Sequence, residues 1–410
     1  MTERFSSPNG SVPQRYAHII GWGKALPQRV MTNEELEALV STNDAWIRAR
    51  TGIEKRRIAN ERESTATLGL KAAQNALNVA NIVPRQLDLI ICCTSTAENV
   101  FPASASLIQG WLGATAAGAF DLSAACSGFV YGVQMGAQAI AAGDADHVLV
   151  IGSETMSRVL DWQDRGTCIL FGDGAGAIVL RASEQRGGVL SGVLRSDGTG
   201  GDMLGIPNIA SIGVSNPAIL TQEHKLYKMH MKGSEVFKFA TRVIGECIQE
   251  SLAKASVSLQ DVSMIIPHQA NLRIIKAAAR SLRVDESRFM CNLTEYGNTS
   301  AASIPLALCD AVEQGRIHSG DHVVLVGFGG GLSWGAVTLK WGSHTERAPI
   351  RLTKQRRELS YLMVRWRMRS RKLMSRLRSL VQRSRPHRGR VDRLRRRMDP
   401  YQDGDDPPFA

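Results

Sequence analysis

Aromatic residues make up only 6% of the 410-residue chain. A core with so few rings must be filled by aliphatic and small side chains, and with 38 glycines this suits tightly packed α/β layers with many close turns. Also missing is any apolar run approaching the roughly 20 residues that a membrane-spanning helix needs. The first sixteen residues, MTERFSSPNGSVPQRY, are polar and lack the apolar centre of a secretory signal. The seven cysteines (Cys92, Cys93, Cys126, Cys168, Cys247, Cys291 and Cys309) form no CxxC pair and show no metal-ligand spacing. Each is expected as a reduced, buried thiol, no metal is expected, and the cytoplasm is the default compartment. The glycine-rich stretch GFGGGLSWG (327–335) lacks the Lys-Ser/Thr of a phosphate loop and the spacing of a dinucleotide fingerprint. It reads as a backbone wall against a substrate, able to offer an N–H to an oxyanion.

Charge is present but unevenly placed. The net charge is +12, yet residues 344–410 hold 20 Lys+Arg against 7 Asp+Glu, while residues 1–343 hold 30 against 31. All of the basic character belongs to a C-terminal tail, which needs its own reading.

The remaining 340 or so residues repeat themselves. DLIICCTST (88–96) and VSMIIPHQA (262–270) are apolar runs of the kind that make strands buried on both faces. AAGDADHVLVIGSE (141–154) has the same Gly-Asp, His and apolar-strand order as HSGDHVVLVGFGG (318–330). Between them lie CSGFVYGVQMGAQAIAAG and NTSAASIPLALCDAVEQG, each an apolar-periodic helix opened by small polar residues. Three segments recurring in one order, about 172–175 positions apart, indicate two homologous halves, with Cys126 and Asn298 at matching places. Strands alternating with helices of this length indicate parallel-sheet α/β architecture, in which ligands bind past the C-terminal ends of strands. Thr94, Ser95, His268, Gln269 and the loops at Gly152 and Gly327 fall at such ends.

Cys126 stands in DLSAACSGFVYG, among small residues at the start of a helix. The helix dipole and free backbone N–H groups there stabilise a thiolate, so its pKa is expected to fall and the sulfur to be nucleophilic. Small neighbours leave room for a carbonyl, and the same N–H groups can serve its oxyanion. Cys92 and Cys93, inside an apolar run, are not candidates. His268 in IIPHQANLR follows a strand in the opposite half; by itself such a histidine is more often structural. Asn298 in YGNTSAASIP is, taken alone, fully explained by helix capping. Together, Cys, His and Asn without an acid suit acyl transfer to sulfur followed by carbon–carbon bond formation, with His and Asn donating to an enolate as CO2 leaves. A cysteine peptidase also uses Cys, His and Asn, but nothing in the duplicated pattern favours it.

The stretches NDAWIRARTGI (43–53), FPASASLIQ (101–109), DLSAACSGF (121–129), DRGTCILFGDGAGA (164–177), GSEVFKFA (233–240), PHQANLRII (267–275) and YGNTSAASIP (296–305) go further. With the glycine run they make the chain resemble the β-ketoacyl-[acyl-carrier-protein] synthase III family, the initiating condensing enzymes of type II fatty-acid synthesis, from about Ala17 to Gly342. The resemblance implies an α/β thiolase-like fold of two duplicated halves in five layers, 17–185 and 186–342, after a polar extension 1–16, and commonly a homodimer. It implies an acyltransferase joining an acyl-CoA to malonyl-acyl carrier protein in ping-pong order, with acyl-CoA as substrate and no cofactor. Cys126 would then be the acyl-accepting nucleophile, His268 and Asn298 the decarboxylating pair, and the N–H groups of Cys126 and Gly331 the oxyanion hole. Trp46, Arg50, Arg165, Gly166 and Asn271 would line the CoA and pantetheine channel; Lys238, Arg273 and Arg280 would meet the acidic carrier protein. Phe101 would reach the acyl pocket of a partner subunit, with Met156 near that pocket. Plant-type polyketide synthases share Cys-His-Asn, but PHQANLR and FGDGAGA fit the bacterial initiating family better. Ser234 stands where an asparagine is familiar and Leu332 where an aromatic is common, which leaves the primer open among acetyl, short branched and longer acyl groups. The alternative is a starter-unit condensing enzyme or acyltransferase of secondary, polyketide-like metabolism with the same site.

The tail, 343–410, is not explained by that resemblance. From Glu358 to Arg383, Leu359, Leu362, Met363, Trp366, Leu373, Leu377, Leu380 and Val381 recur at mostly helical spacing among arginines, a basic amphipathic pattern. Three readings stand: a helix on an anionic membrane surface, which would make the association peripheral; a patch for nucleic acid or another acidic partner; and a solvated extension.

Overall fold

The computed structural model describes residues 14–208 and 225–342, with scattered positions from 355 to 374. β1 (Tyr16–Ala25) is followed by a hairpin, β2 (Arg29–Thr32) with β3 (Lys55–Ile58), that encloses α1 (Asn33–Glu37) and α2 (Asp44–Thr51). Then come α3 (Thr65–Ala80), β4 (Leu89–Cys93), α4 (Ser104–Leu112), β5 (Gly118–Leu122), α5 (Gly128–Ala142), β6 (His147–Thr155), α6 (Arg165–Cys168) and β7 (Asp173–Ser183). The chain continues through β8 (Gly188–Ser196) and the two-residue strands β9 (Leu204–Gly205) and β10 (His230–Met231). It ends with α7 (Gly233–Ala255), β11 (Val262–Pro267), α8 (Leu272–Leu282), α9 (Leu293–Tyr296), α10 (Ser303–Glu313), β12 (His322–Gly329) and β13 (Ser333–Lys340).

Two mixed sheets form, in the orders β1-β7-β6-β4-β5 and β8-β13-β12-β11. The apolar runs seen in the sequence are β4, inside the first sheet, and β11, at one end of the second, and Ile90, Ile91, Ile265 and Ile266 are wholly buried. Each such side chain contributes about 1.5–3 kcal/mol relative to exposure. The second sheet repeats the first strand for strand, down to a lone parallel bridge between Ile265 and Phe289 where β4 pairs with β5 in the first. α5 and α10 pack between the sheets, α3 and α4 cover the first, and α7 with α8 covers the second, giving five layers. Glycine makes the central contact close. A Cβ at Gly152 would lie 2.3 Å from the Ala301 carbonyl oxygen, and one at Gly176 would lie 2.7 Å from the Pro305 Cβ.

The repeat has a different register around Cys126 from the one read in the sequence. Two short 3-10 turns, Ala125–Ser127 and Ser300–Ala302, lead into α5 and α10. Each opens on a residue at positive φ, Ala125 at 44° and Ser300 at 48°. On that register Cys126 corresponds to Ala301, and Asn298 lies three positions earlier. The sequence comparison matched small polar residues, whereas the equivalence resides in the backbone turn.

The tail from Tyr361 is a unit separate from the body. Its described positions are helical, and Leu362, Met363, Trp366 and Met374 are exposed, as is Leu359 just before it. Leu373, Leu377, Leu380 and Val381 lie outside the described residues, as does the rest of 343–410 apart from those exposed residues and Gln355, Glu358, Tyr361 and Ser370. Among the described residues no helix is long and apolar enough to cross a membrane, and no cluster of His, Cys, Asp and Glu could hold a metal. All seven cysteines are free.

Candidate active site

Cys126 occupies the tight turn between β5 and α5. Its small surroundings are a packing requirement: a Cβ at Gly329 would lie 2.7 Å from the Cys126 nitrogen. The Ser127 and Ser333 hydroxyls, 2.8 Å apart, pin this turn to the start of β13. Such fixing holds Ala125 at its positive φ, a conformation that costs roughly 1–3 kcal/mol for a residue with a side chain. Cys126 is only 6% exposed and lines two cavities, a larger one of about 1030 Å³ and a smaller one of about 80 Å³.

The expected fall in its pKa does not occur. Burial pushes the Cys126 thiol up to about 12, against the opposing pull of the Ser300 hydroxyl and the local N–H. The magnitudes explain the outcome. A helix terminus contributes at most about 2 kcal/mol to a nearby charge, whereas full burial moves an acid by up to about 3–5 pKa units. Cys126 therefore rests as a thiol. Cys92 and Cys93 are likewise pushed up by burial, and they lie inside β4, as expected of inert core thiols.

His268 and Asn298 line the smaller cavity with Cys126. β11 delivers the histidine: its N–H donates to the Val326 carbonyl at 2.8 Å, continuing the ladder, and its ring meets Phe328 edge-on at 5.1 Å. Burial drives its pKa down to about 3, so the imidazole is neutral. Its Nδ1 is buried without a hydrogen-bond partner. Asn298 is held by its backbone, whose N–H donates to the Leu170 carbonyl at 2.8 Å while its carbonyl accepts from Gly172 at 3.0 Å. Its Oδ1 accepts from the Ser300 N–H at 2.8 Å, which leaves the Nδ2 donors for a group in the cavity. Gly297, at φ 65°, permits this: a Cβ there would lie 2.9 Å from the Leu170 oxygen.

Gly331 and Met156 line the larger cavity with Cys126. Phe101 does not; it is 85% exposed beside Val100, which does line it. Trp46 on α2 is 36% exposed, not a core ring, and carries the Arg165 and Arg50 guanidinium groups 4.8 and 5.9 Å from its centre. Arg165 also donates to the Ser41 carbonyl at 2.9 Å, and the Gly166 N–H donates to Asp164 at 2.8 Å. Asn271 caps α8, donates to the Arg50 carbonyl at 3.1 Å and lines the smaller cavity, so it joins α2 to the Cys126 site. Lys238 on α7 and Arg273 and Arg280 on α8 are exposed, with Arg273 lying 5.3 Å over the Phe237 ring.

Other motif residues turn out to be braces. Asp121 accepts from Ser104 and Ala105 and so caps α4. Gln269 donates to the Pro267 and Met290 carbonyls and accepts from Asn292, fixing the loop after His268. Asp173 holds Ala59 and Ser157. The sequence reading passed over Ser300 and Glu154. Ser300 Oγ lies 3.5 Å from the Cys126 sulfur and 2.9 Å from the Glu154 carboxylate, which is fully buried. The one available signal was a carboxylate at the end of an apolar strand, in VLVIGSE.

A duplicated five-layer α/β body with a buried Cys, His and Asn around one cavity defines a condensing acyltransferase of the thiolase fold. Residues 120–198 and 252–341 match the family descriptions 3-oxoacyl-[acyl-carrier-protein] synthase III and its C-terminal part. The β-ketoacyl-[acyl-carrier-protein] synthase III of Desulfitobacterium hafniense is 49% identical over 79% of this chain and 97% of its own length. That of Symbiobacterium thermophilum is 48% identical over 79% and 98%. The crystal structure of the 3-oxoacyl-[acyl-carrier-protein] synthase III from Aquifex aeolicus matches with a TM-score of 0.73 at 44% identity, over 79% of this chain and 100% of that one. The chain belongs to the β-ketoacyl-[acyl-carrier-protein] synthase III family.

Proposed function

We propose that the chain joins an acyl-CoA primer to the malonyl group of malonyl-acyl carrier protein, releasing CoA and CO2 and forming β-ketoacyl-acyl carrier protein. The observation that carries this reading is the convergence of Cys126, His268 and Asn298 on one buried cavity whose described lining contains no acid. The Cys126 sulfur takes the acyl group while the Cys126 and Gly331 N–H groups hold the oxyanion. CoA leaves, the malonyl thioester enters, and CO2 departs to give an enolate. His268 and Asn298 donate to the enolate oxygen. Because Nδ1 of His268 has no acceptor, the proton of the neutral ring is assigned to Nε2. The enolate carbon then attacks the acyl-Cys126 carbonyl, and collapse of the adduct breaks the C–S bond, freeing the Cys126 sulfur and releasing β-ketoacyl-acyl carrier protein. No cofactor is called for.

Trp46 with Arg50 and Arg165 beside its ring suits an adenine with its phosphates, since the ring can stack and the guanidiniums pair with the anions. Lys238, Arg273 and Arg280 present positive charge to an acidic carrier protein, and the exposed Phe101 suits insertion into a partner subunit of a homodimer. The polyketide-starter reading has one relative in its favour, the priming β-ketosynthase of the R1128 polyketide pathway, at 35% identity and a TM-score of 0.75 over 82% of this chain and 99% of that one. The relatives at 48–49% identity, named β-ketoacyl-[acyl-carrier-protein] synthase III, favour the first reading. Incubation with acetyl-, branched and longer acyl-CoAs tests the function. Intact mass is expected to rise by one acyl group, located on Cys126 by peptide mapping; absence of any adduct across the set overturns the proposal.

The chain is assigned to the cytoplasm with the tail resting on anionic lipid. Leu359, Leu362, Met363, Trp366 and Met374 are exposed together at helical spacing, amid the arginines of the sequence. The full chain is expected to float with vesicles containing anionic lipid, and a chain ending at Gly342 is expected to stay behind. Equal flotation of the two overturns the lipid reading.

A further inference from the structure

Glu154, at the end of β6, lines neither cavity and has no part in the chemistry above. It is wholly buried and has no cation bonded to it. Its carboxylate accepts from the Thr94 hydroxyl at 3.2 Å, the Ser95 N–H at 3.1 Å, the Thr96 hydroxyl at 2.5 Å and the Ser300 hydroxyl at 2.9 Å. The Ser300 oxygen in turn accepts from the Cys126 thiol at 3.5 Å. An unbroken donor chain therefore runs from the nucleophile to a carboxylate: S–H to Ser300, O–H to Glu154.

We propose that Glu154, acting through the Ser300 hydroxyl, takes the proton of Cys126 when the sulfur attacks the primer thioester. The step balances. The S–H bond breaks and its proton passes to the Ser300 oxygen, while the Ser300 proton passes to Glu154 Oε1. The sulfur lone pair forms the new C–S bond to the acyl carbon, and the C–S bond to CoA breaks with its electron pair on the CoA sulfur. The proton returns through Ser300 to that thiolate, CoA leaves as a thiol, and Glu154 is a carboxylate again.

Two properties favour this route over proton transfer to His268. Burial holds the His268 ring far below its ordinary basicity, down to about 3. The same cause pushes the Glu154 carboxyl above its ordinary range, making it the stronger acceptor of the two. The Glu154 charge acts on the Cys92 and Cys93 thiols of β4 and on Cys126 itself, all held protonated chiefly by burial. The Ser300 backbone also lends itself to a clean test. At φ 48° it accepts glycine without strain, so Ser300→Gly removes the relay hydroxyl and keeps the N–H that holds Asn298.

The proposal rests on the acyl-Cys126 reading, and the experiment separates the two. Glu154→Gln and Ser300→Gly are compared with the unmodified full-length chain. Rapid quench and intact mass follow acyl transfer from acyl-CoA; CO2 release from malonyl-acyl carrier protein is followed in parallel. Each variant is expected to lose about 10²-fold more in acylation rate than in decarboxylation, the range of general-base catalysis. The rising limb of acylation against pH should also move to higher pH. Acylation at the unmodified rate in both variants, or an equal loss in the two half-reactions, overturns the relay and leaves Glu154 a brace between β4, β6 and α10. Absence of an adduct on the unmodified chain overturns the acyl-Cys126 reading itself.

Discussion

His268→Ala and Asn298→Ala are each expected to acquire the acyl group on Cys126 and then to stall, with CO2 release and condensation reduced by about 10²–10³-fold. The size follows from where the two donors stand. Decarboxylation places a full negative charge on an oxygen inside a cavity walled by Leu170, Phe171, Val236, Phe237 and Phe328. Among the described residues, no Lys or Arg lines that cavity to meet the charge, so stabilisation falls to the two neutral donors. In so apolar a site each hydrogen bond counts for far more than in water. The neutrality of His268 matters as much as its position. Its pKa lies near 3, depressed by burial, so the ring is unprotonated at every pH above that value and holds one N–H throughout. Decarboxylation should therefore show no His268 ionisation between about pH 5 and pH 8, where an ordinary histidine titrates. Single-turnover measurement of the acyl adduct and of CO2 in the same sample reads both half-reactions. Normal CO2 release by either variant sinks that residue's assignment.

The parts of this molecule legible in sequence were those that depend on local composition. DLIICCTST and VSMIIPHQA declare buried strands by their unbroken apolar runs, and Ile90 and Ile265 are wholly buried in β4 and β11. The repeat gave the two α/β halves, and the five layers were implied by the family resemblance. What failed depends on three-dimensional surroundings. The register of the repeat slipped because the turns before α5 and α10 are defined by positive φ at Ala125 and Ser300, which residue type does not announce. The pKa of Cys126 went the wrong way because a helix start is visible in sequence, whereas desolvation by Gly329, Phe171 and the rest of the fold is not. Glu154 escaped notice because its partner Ser300 lies 146 positions away. Gln269 was noticed at a strand end but given no role, since its bonds to Met290 and Asn292 exist only once that loop folds.

Cys126→Ala is expected to abolish the acyl adduct and to reduce condensation by about 10⁴–10⁶-fold, the scale seen when a covalent nucleophile is removed. Intact mass after acyl-CoA exposure, with CO2 release measured beside it, checks both halves of the expectation. The choice of cysteine is what this variant decides. Six other thiols are present, and exposure alone would select Cys291, the one cysteine that is not buried. Cys291 does not line either of the cavities that contain Cys126, and burial lifts its pKa as well. Any acylation that persists in Cys126→Ala would thus report chance reactivity at an accessible thiol, and its presence at the unmodified rate would refute the nucleophile. Loss of the sulfur leaves the His268 ring and the Asn298 amide in place, each held by backbone contacts that do not involve Cys126. Malonyl-acyl carrier protein should accordingly still be decarboxylated, with the enolate taking a proton in place of an acyl carbon. Uncoupling of this kind is what two separate devices around one cavity produce: a sulfur that holds the primer, and a pair of neutral donors that hold the enolate.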